Sequence, residues 1–352
     1  MIPFSKPSIT SEEIKNVSQA VASGRLSQHV FVDAFEEGLA NFLGVDKENI
    51  IAVSSGTAAL HIATVLISDR LSHKIVHIPA TTFISTANTL SYLDAEEDVF
   101  MTIDDIEPST WNAISNDGYK ITVDLFGNPC QYKYLKNVLI EDACESLGSE
   151  YEDKKCGTLA DFGAFSFFEN KTITTGGEGG ALYVKEHSLA NRARLLRQQG
   201  KSYGMDTHSI IGFNYRMTEM QAAFGCAQLK RLNLIIERKR AIHSLYNTLI
   251  GEHVSFQREI GRMCPWTTCV KFNTHVKREA SKELLRESGI QTRLPFPPIY
   301  YNPPYNGNKT YCPVAENLYD TGLCLPNYPD LKDDEVKTVC RIIEKAVEST
   351  AI

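Results

Sequence analysis

The chain has 352 residues, 43% hydrophobic and 22% charged, with a formal net charge of −7. That length accommodates one large domain plus a smaller one, and the acidic balance excludes a general nucleic-acid binder, which would present a basic face. The most apolar run, IIAVSSGTAALHIATVLI, is interrupted by Ser54, Ser55, Gly56, Thr57 and His61, so no membrane span is expected.

The opening, MIPFSKPSITSEE, has neither a basic cluster nor an apolar core, and no secretory signal is expected. Thr10-Ser11-Glu12-Glu13 has the spacing of a capping box, and Ile14, Val17 and Val21 follow at helical intervals. A turn, SGRLSQH (23–29), leads to FVDAFEEGLANFLG, an amphipathic helix closed by Gly44. Short apolar runs then alternate with helical stretches. IIAVSS, KIVHIPA, YKITVDLF, NVLIEDA, GAFSFF and GALYV read as strands, with TAALHIATVLIS, FISTANTLSYL and SLANRARLLRQQ as helices. Such alternation implies an α/β fold: a mostly parallel sheet with helices on both faces. GAFSFF and GALYV are joined by a short glycine-rich loop and read as a local hairpin.

From about residue 217 one long helical pattern, TEMQAAFGCAQLKRLNLIIERKRAIHSLYNTLI, takes over. A strand (TTCVKF), a helix (EASKELLRES), a proline-rich stretch (LPFPPIYYNPPY) and a closing helix (DDEVKTVCRIIEKAVES) follow. These predict a large α/β domain over 1–235 and a small α+β domain over 236–352, with the boundary inside the long helix. The nine cysteines are scattered, with no CxxC and no paired metal-ligand spacing. They read as reduced packing thiols of a cytoplasmic protein, and no metal site is expected.

Four strand ends carry the chemical signal. SSGTAALHIA (54–63) leaves a strand in small residues and opens a helix, whose free N–H groups and positive end suit a phosphate; a plain strand-to-helix turn would read the same. NVLIEDACESLGS (137–149) ends on Glu141-Asp142, where open α/β sheets bind ligands, or where a helix cap would sit. PATTFISTANT (79–89) places Phe83 to stack on a planar ligand or to fill the core. In FSFFENKTITTGGEGGAL (165–182), Lys171 leaves an apolar strand and is followed by Gly176, Gly177, Gly179 and Gly180; an exposed hairpin lysine is the alternative.

Together, a phosphate seat, an aromatic plate, a carboxylate and a strand-end lysine are what pyridoxal phosphate requires. Its aldehyde needs a lysine for a Schiff base, and its pyridine nitrogen needs an anionic partner. There is no GxxxxGK[ST] and no GxGxxG to support a nucleotide loop.

AFSFFENKTITTGGEGGAL resembles the lysine segment of the DegT/DnrJ/EryC1/StrS sugar aminotransferases, members of the fold-type I pyridoxal-phosphate class. The likeness runs in order through SSGTAALHIA, IPATTFISTAN, IEDACESLGSEY, the lysine loop, GFNYRMTEMQAA and LPNYP. NKTITTG, with Glu145 after EDAC, is most similar to the perosamine-synthase branch, which aminates C4 of a nucleotide-linked 4-keto-6-deoxyhexose. The resemblance makes Lys171 the Schiff-base lysine and proton carrier, Asp142 the partner of the pyridine nitrogen and Phe83 the stacking ring. It assigns Gly56, Thr57, Ala58 and Ser166 to the phosphate and Glu145 to the side of the ring bearing the phenolic oxygen. Asn214 would reach the phosphate of a neighbouring subunit, implying a homodimer with shared active sites. Glutamate would be the amino donor, passing through pyridoxamine phosphate. Other readings are a 3-aminotransferase, a sugar dehydratase with the same cofactor, or a non-catalytic regulator. Dehydratase relatives replace the lysine with histidine or add an iron–sulfur cluster, whereas Lys171 is present and the cysteines are not clustered. Three features depart from the pattern: TTGGEGG is one glycine longer than TTGEGG, the segment between Trp111 and Asp124 is short, and Tyr300 stands where close relatives often have histidine.

Overall fold

A computed structural model describes residues 1–71, 74–93, 99–112, 118–202, 206–307 and 310–350. Part of the short segment after Trp111 and part of the polar loop before GFNYRM therefore lie outside the described residues.

Helix α1 (Ser11–Ala22) starts at the expected capping box, with the Glu13 carboxylate accepting the Thr10 N–H at 2.7 Å. Its buried face is Glu13, Asn16 and Ala20, held by Arg231 and Gln228 on Glu13. Ile14 and Val21 point outward, 65% and 52% exposed. Helix α2 (Val30–Leu43) ends at Gly44 with φ +72°, a left-handed cap that glycine adopts without a Cβ penalty.

The order then is β1 (Ile50–Val53), α3 (Gly56–Leu66), α4 (Ser68–Leu71), β2 (Ile75–Pro79), α5 (Ser85–Ser91), β3 (Phe100–Asp104), β4 (Tyr119–Val123) and β5 (Val138–Asp142). A small hairpin, β6 (Glu150–Tyr151) and β7 (Lys154–Lys155), precedes β8 (Phe162–Ser166), β9 (Gly180–Val184) and α6 (His187–Arg197). Among the described residues the main sheet has seven strands in the order β1-β9-β8-β5-β4-β2-β3. Only β9 runs against its neighbours, so the GAFSFF–GALYV hairpin forms as the sequence predicts. The central strands are buried along almost their whole length, as expected of a sheet covered on both faces. Strand β3, which the sequence patterns do not single out, is an edge strand; its first residue, Phe100, is 59% exposed.

The long helical pattern is two helices rather than one. Helix α7 (Glu219–Lys230) and α8 (Leu232–Ile250) meet at Arg231, whose φ of −108° and ψ of 4° break the helix. The Arg231 guanidinium turns back to Glu13 at 2.8 Å and to the Ser8 carbonyl, a tertiary cause invisible to periodicity. Beyond it lie β10 (Ser255–Phe256), β11 (Thr268–Lys271), α9 (His275–Glu287), α10 (Pro313–Thr321), β12 (Gly322–Leu325) and α11 (Asp333–Ser349). The antiparallel sheet β10-β11-β12 packs with α8, α9 and α11 around Ile242, Tyr246, Val270, Leu285 and Ile343. Earlier on α8, Ile235 and Ile236 belong to the core beside the main sheet.

Candidate active site

Because β1, β2, β4, β5 and β8 are mutually parallel, their carboxyl ends share one edge of the main sheet, and antiparallel β9 begins there. This is the edge at which open α/β sheets bind ligands. The described loop from β8 to β9 is pinned by Phe167 N–H to Gly179 O (2.8 Å), Glu169 N–H to Gly177 O (3.0 Å) and Thr175 N–H to Phe167 O (3.1 Å). Gly176 (φ +86°) and Gly177 (φ +126°) supply its left-handed corner. Lys171 is thereby held inside a rigid loop rather than on an exposed hairpin tip.

The Lys171 ammonium lies 3.2 Å from Glu145 Oε1 and 4.2 Å from the centre of the Trp266 ring, its side chain only 14% exposed. Glu145 Oε2 accepts the Phe126 N–H at 2.9 Å. Phe126 has φ +59°, an unusual conformation for an aromatic residue, and that turn aims its amide at the carboxylate. Burial pushes the Glu145 carboxyl above the usual range, and the neighbouring Lys171 charge pulls it back.

Asp142 is the last residue of β5 and is buried. Its Oδ2 accepts the Thr86 hydroxyl at 2.7 Å and its Oδ1 the Cys144 N–H at 3.2 Å. Since Thr86 spends its proton on Asp142, Thr82, 2.8 Å away, donates to Thr86. At the start of α3, Ser55 Oγ accepts the Ala58 N–H at 3.1 Å. The Gly56 and Thr57 N–H groups of this first turn lack intrahelical acceptors and are available to an anion. A Cβ on Gly56 would fall 2.9 Å from Ser166 Cβ and 2.8 Å from Cys144 Sγ, so the helix start is pressed against the end of β8. Thr57 Oγ1 is 2.7 Å from Ser85 Oγ.

Phe83 is 56% exposed and meets Phe296 edge-on at 5.9 Å. Phe296 in turn stacks on Trp266 (6.0 Å, 2°) and on Phe126 (6.2 Å, 12°). Tyr300 donates to Glu316 on α10 at 2.8 Å. Asn214 stands apart from the lysine cluster: it is exposed, on a segment that bridges Val53 through Arg216, and its Oδ1 accepts two N–H groups of Arg216. On the opposite side of β5 from Asp142, Glu141 is buried with Asp124, and burial raises both carboxyls. Glu141 anchors the Gly157 and Leu159 amides, and Asp124 accepts from Ser146 and Tyr132, so this pair ties the ends of β4 and β5 to the next turn.

The structure thus joins Lys171 to Glu145 and Gly56 to Ser166. Thr86, Phe126, Trp266 and Phe296 are contributions the sequence reading did not single out. No local signal marks them; Trp266 reaches Lys171 only because residues 95 apart in sequence meet.

These features define a fold-type I pyridoxal-phosphate enzyme, and the donor set fits the cofactor: amides and hydroxyls for a phosphate, a buried carboxylate for a ring nitrogen, and a lysine for an aldehyde. The chain belongs to the DegT/DnrJ/EryC1/StrS aminotransferase family, which it matches over residues 7–344. It is 32% identical to the GDP-perosamine synthase of Escherichia coli O157:H7 and 31% identical to that of Vibrio cholerae, each alignment covering 98% of both chains. The crystal structure of the aminotransferase TlmJ from Streptoalloteichus hindustanus superposes over 100% of both chains, with a TM-score of 0.89 at 24% identity. The protein is a pyridoxal-phosphate-dependent sugar aminotransferase. Among the described residues, no helix is long and apolar enough to cross a membrane.

Proposed function

We propose that the enzyme transfers an amino group from glutamate to C4 of a nucleotide-linked 4-keto-6-deoxyhexose. The carrying observation is Lys171, held at the carboxyl edge of the sheet with its ammonium against both Glu145 and the Trp266 ring. C4 is favoured over C3 by similarity to GDP-perosamine synthases and, at 29% identity, to a dTDP-4-dehydro-2,3,6-trideoxy-D-glucose 4-aminotransferase of Saccharopolyspora spinosa.

When bound, the cofactor supplies an electrophilic carbonyl and an electron-withdrawing ring. Lys171 would hold that carbonyl and, when released from it, would move the proton at the reacting carbon. Asp142, fixed by Thr86 and the Cys144 amide, keeps the ring nitrogen charged. The amides of Gly56 and Thr57 and the hydroxyl of Ser166 would hold the phosphate, the Ala58 amide joining them on exchanging its bond to Ser55 Oγ; Phe83 would cover a ring face, and Glu145 would receive the lysine's charge. Asn214 acts on the site of a second copy, and the exposed Ile14 and Val21 of α1 suit a chain that pairs with itself. In this reading 1–235 bind the cofactor, 236–352 form the smaller domain, and the enzyme works in the cytoplasm.

The test assays glutamate-dependent amination across GDP- and dTDP-linked 4-keto and 3-keto sugars. Lys171→Ala is expected to lose activity by at least about a hundred- to ten-thousandfold, and borohydride to fix the cofactor of the wild type to Lys171. Turnover confined to 3-keto sugars, or label on another lysine, would overturn the proposal.

A further inference from the structure

We propose that Trp266 is a further member of the active site: its indole face, opposite the Glu145 carboxylate, seats the Lys171 ammonium whenever that lysine is free of cofactor. The inference rests on the reading of Lys171 as the cofactor-bonding lysine. The ring centre is 4.2 Å from Nζ, within the range at which a cation is drawn to the negative face of an indole. Tryptophan provides the strongest such face, and the site's exclusion of water makes the attraction count; Trp266 is 8% exposed.

The ring is fixed from every side. Its Nε1–H donates to Asn170 O at 2.8 Å, tying it to the backbone next to Lys171. Its own N–H donates to Phe126 O at 3.0 Å, and Phe126 is the residue whose amide orients Glu145. Its carbonyl accepts the buried Lys239 ammonium at 3.0 Å. Phe296 lies parallel to the indole, 2° from coplanar orientation. One residue therefore positions both partners of the Lys171–Glu145 pair while touching the reacting nitrogen itself. Besides Glu145, the titratable group that feels this lysine's charge is Cys144, on the turn after β5; Asp142, the last residue of β5, acts in turn on Cys144 and Glu145, and none of these is on the element carrying Trp266.

The chemical consequence concerns capture of the cofactor. For Nζ to attack the aldehyde carbon and release water, the ammonium must first give up a proton, leaving its lone pair free. An indole face that holds the ammonium opposes that loss and so slows capture; once displaced, the lysine must be neutral to take up a proton, and the same face then holds the ammonium so formed until the proton is passed on.

The test uses cofactor-free full-length enzyme and saturating pyridoxal phosphate, with the first-order rate of capture read by visible absorbance at about pH 7. Tryptophans carrying one, two and three fluorines are placed at position 266; they keep shape and N–H but weaken the ring's negative face. The rate is expected to climb stepwise with fluorination. Full removal in Trp266→Leu is expected to accelerate capture by about two- to thirtyfold, the range spanned by cation–π contacts. A flat rate across the fluorinated series, with label still on Lys171 after borohydride, would overturn the role of Trp266 alone, including when Trp266→Leu changes the rate by misfolding. Label on a different lysine would overturn both this inference and the reading beneath it.

Discussion

Asp142 has one partner on each carboxylate oxygen, the Thr86 hydroxyl on Oδ2 and the Cys144 amide on Oδ1. Those bonds fix the carboxylate plane. No described helix starts after it, since residues 143–149 form turns, so a capping role has no helix to serve. Asp142→Asn keeps the shape and an acceptor for Cys144, and the Thr86 hydroxyl can rotate to receive the new amide. The variant is therefore expected to unfold at nearly the wild-type temperature and yet to lose at least about a hundredfold in amination rate, because a neutral amide cannot hold a charge on the ring nitrogen. Wild-type turnover by a folded Asp142→Asn enzyme would remove it from the chemistry. The positions of Asp142, at the end of β5, and Lys171, in the loop after β8, were legible in sequence because each lies at or just after a short apolar run, a pattern written within ten residues. Trp266 and Phe126 were not, because their roles come from a ring contact and a positive φ that only the assembled fold creates.

At the scale of elements, the site depends on how closely the start of β9 approaches the turn between β1 and α3. A Cβ on Gly180 would fall 2.4 Å from the carbonyl carbon of Ser55 and 2.7 Å from the nitrogen of Gly56, both backbone atoms that cannot swing aside. Gly180→Ala should then push the turn at Ser55-Gly56 away from the start of β9. The expected cost is about 1–3 kcal/mol of stability, with cofactor retention weakened by about tenfold or more in equilibrium dialysis. Gly307→Ala, whose Cβ would meet nothing within 4 Å, is the matched control and should be near neutral. Equal effects in the two variants would mean that the close approach at Gly180 is immaterial. The alternation of strands and helices made this layout readable, because buried parallel strands are continuous apolar runs. Two features were not read. The edge strand β3 has a short apolar run, VFMTI (99–103), set between acidic residues and half-exposed at its start, and the break at Arg231 is made by a guanidinium reaching back to Glu13, more than two hundred residues earlier.

For the whole molecule, α8 is the connection that carries one core into the other, and Lys239 sits between its two sets of core contacts. Its ammonium is fully buried and donates to Trp266 O at 3.0 Å and Asn327 O at 2.7 Å, joining the strand region behind the active site to the LPNYP segment. Carbonyl dipoles compensate a buried charge only in part, and burial lowers this lysine to about 8 from an ordinary value of 10.5. The folded state thus sheds its proton before the unfolded state does. Between those two values the unfolded chain binds more protons, so this group's contribution to stability rises with pH. Buried thiols act in the opposite sense: Cys144, Cys156 and Cys269 are raised by burial and stay protonated when the unfolded chain ionises. Total stability against pH therefore mixes both trends, and a difference measurement separates them. Lys239→Met removes the cation and keeps an unbranched chain of similar length, while the thiols remain. The wild type is expected to gain about 2 kcal/mol relative to Lys239→Met between about pH 7 and about pH 9.5 in urea unfolding, as the buried lysine becomes neutral in the native state. A constant gap across that range would show that the ammonium is solvated as well inside the protein as outside it. A gap moving the other way would mean that the two carbonyls hold the cation more tightly than water does, and that the link between the cores depends on its charge.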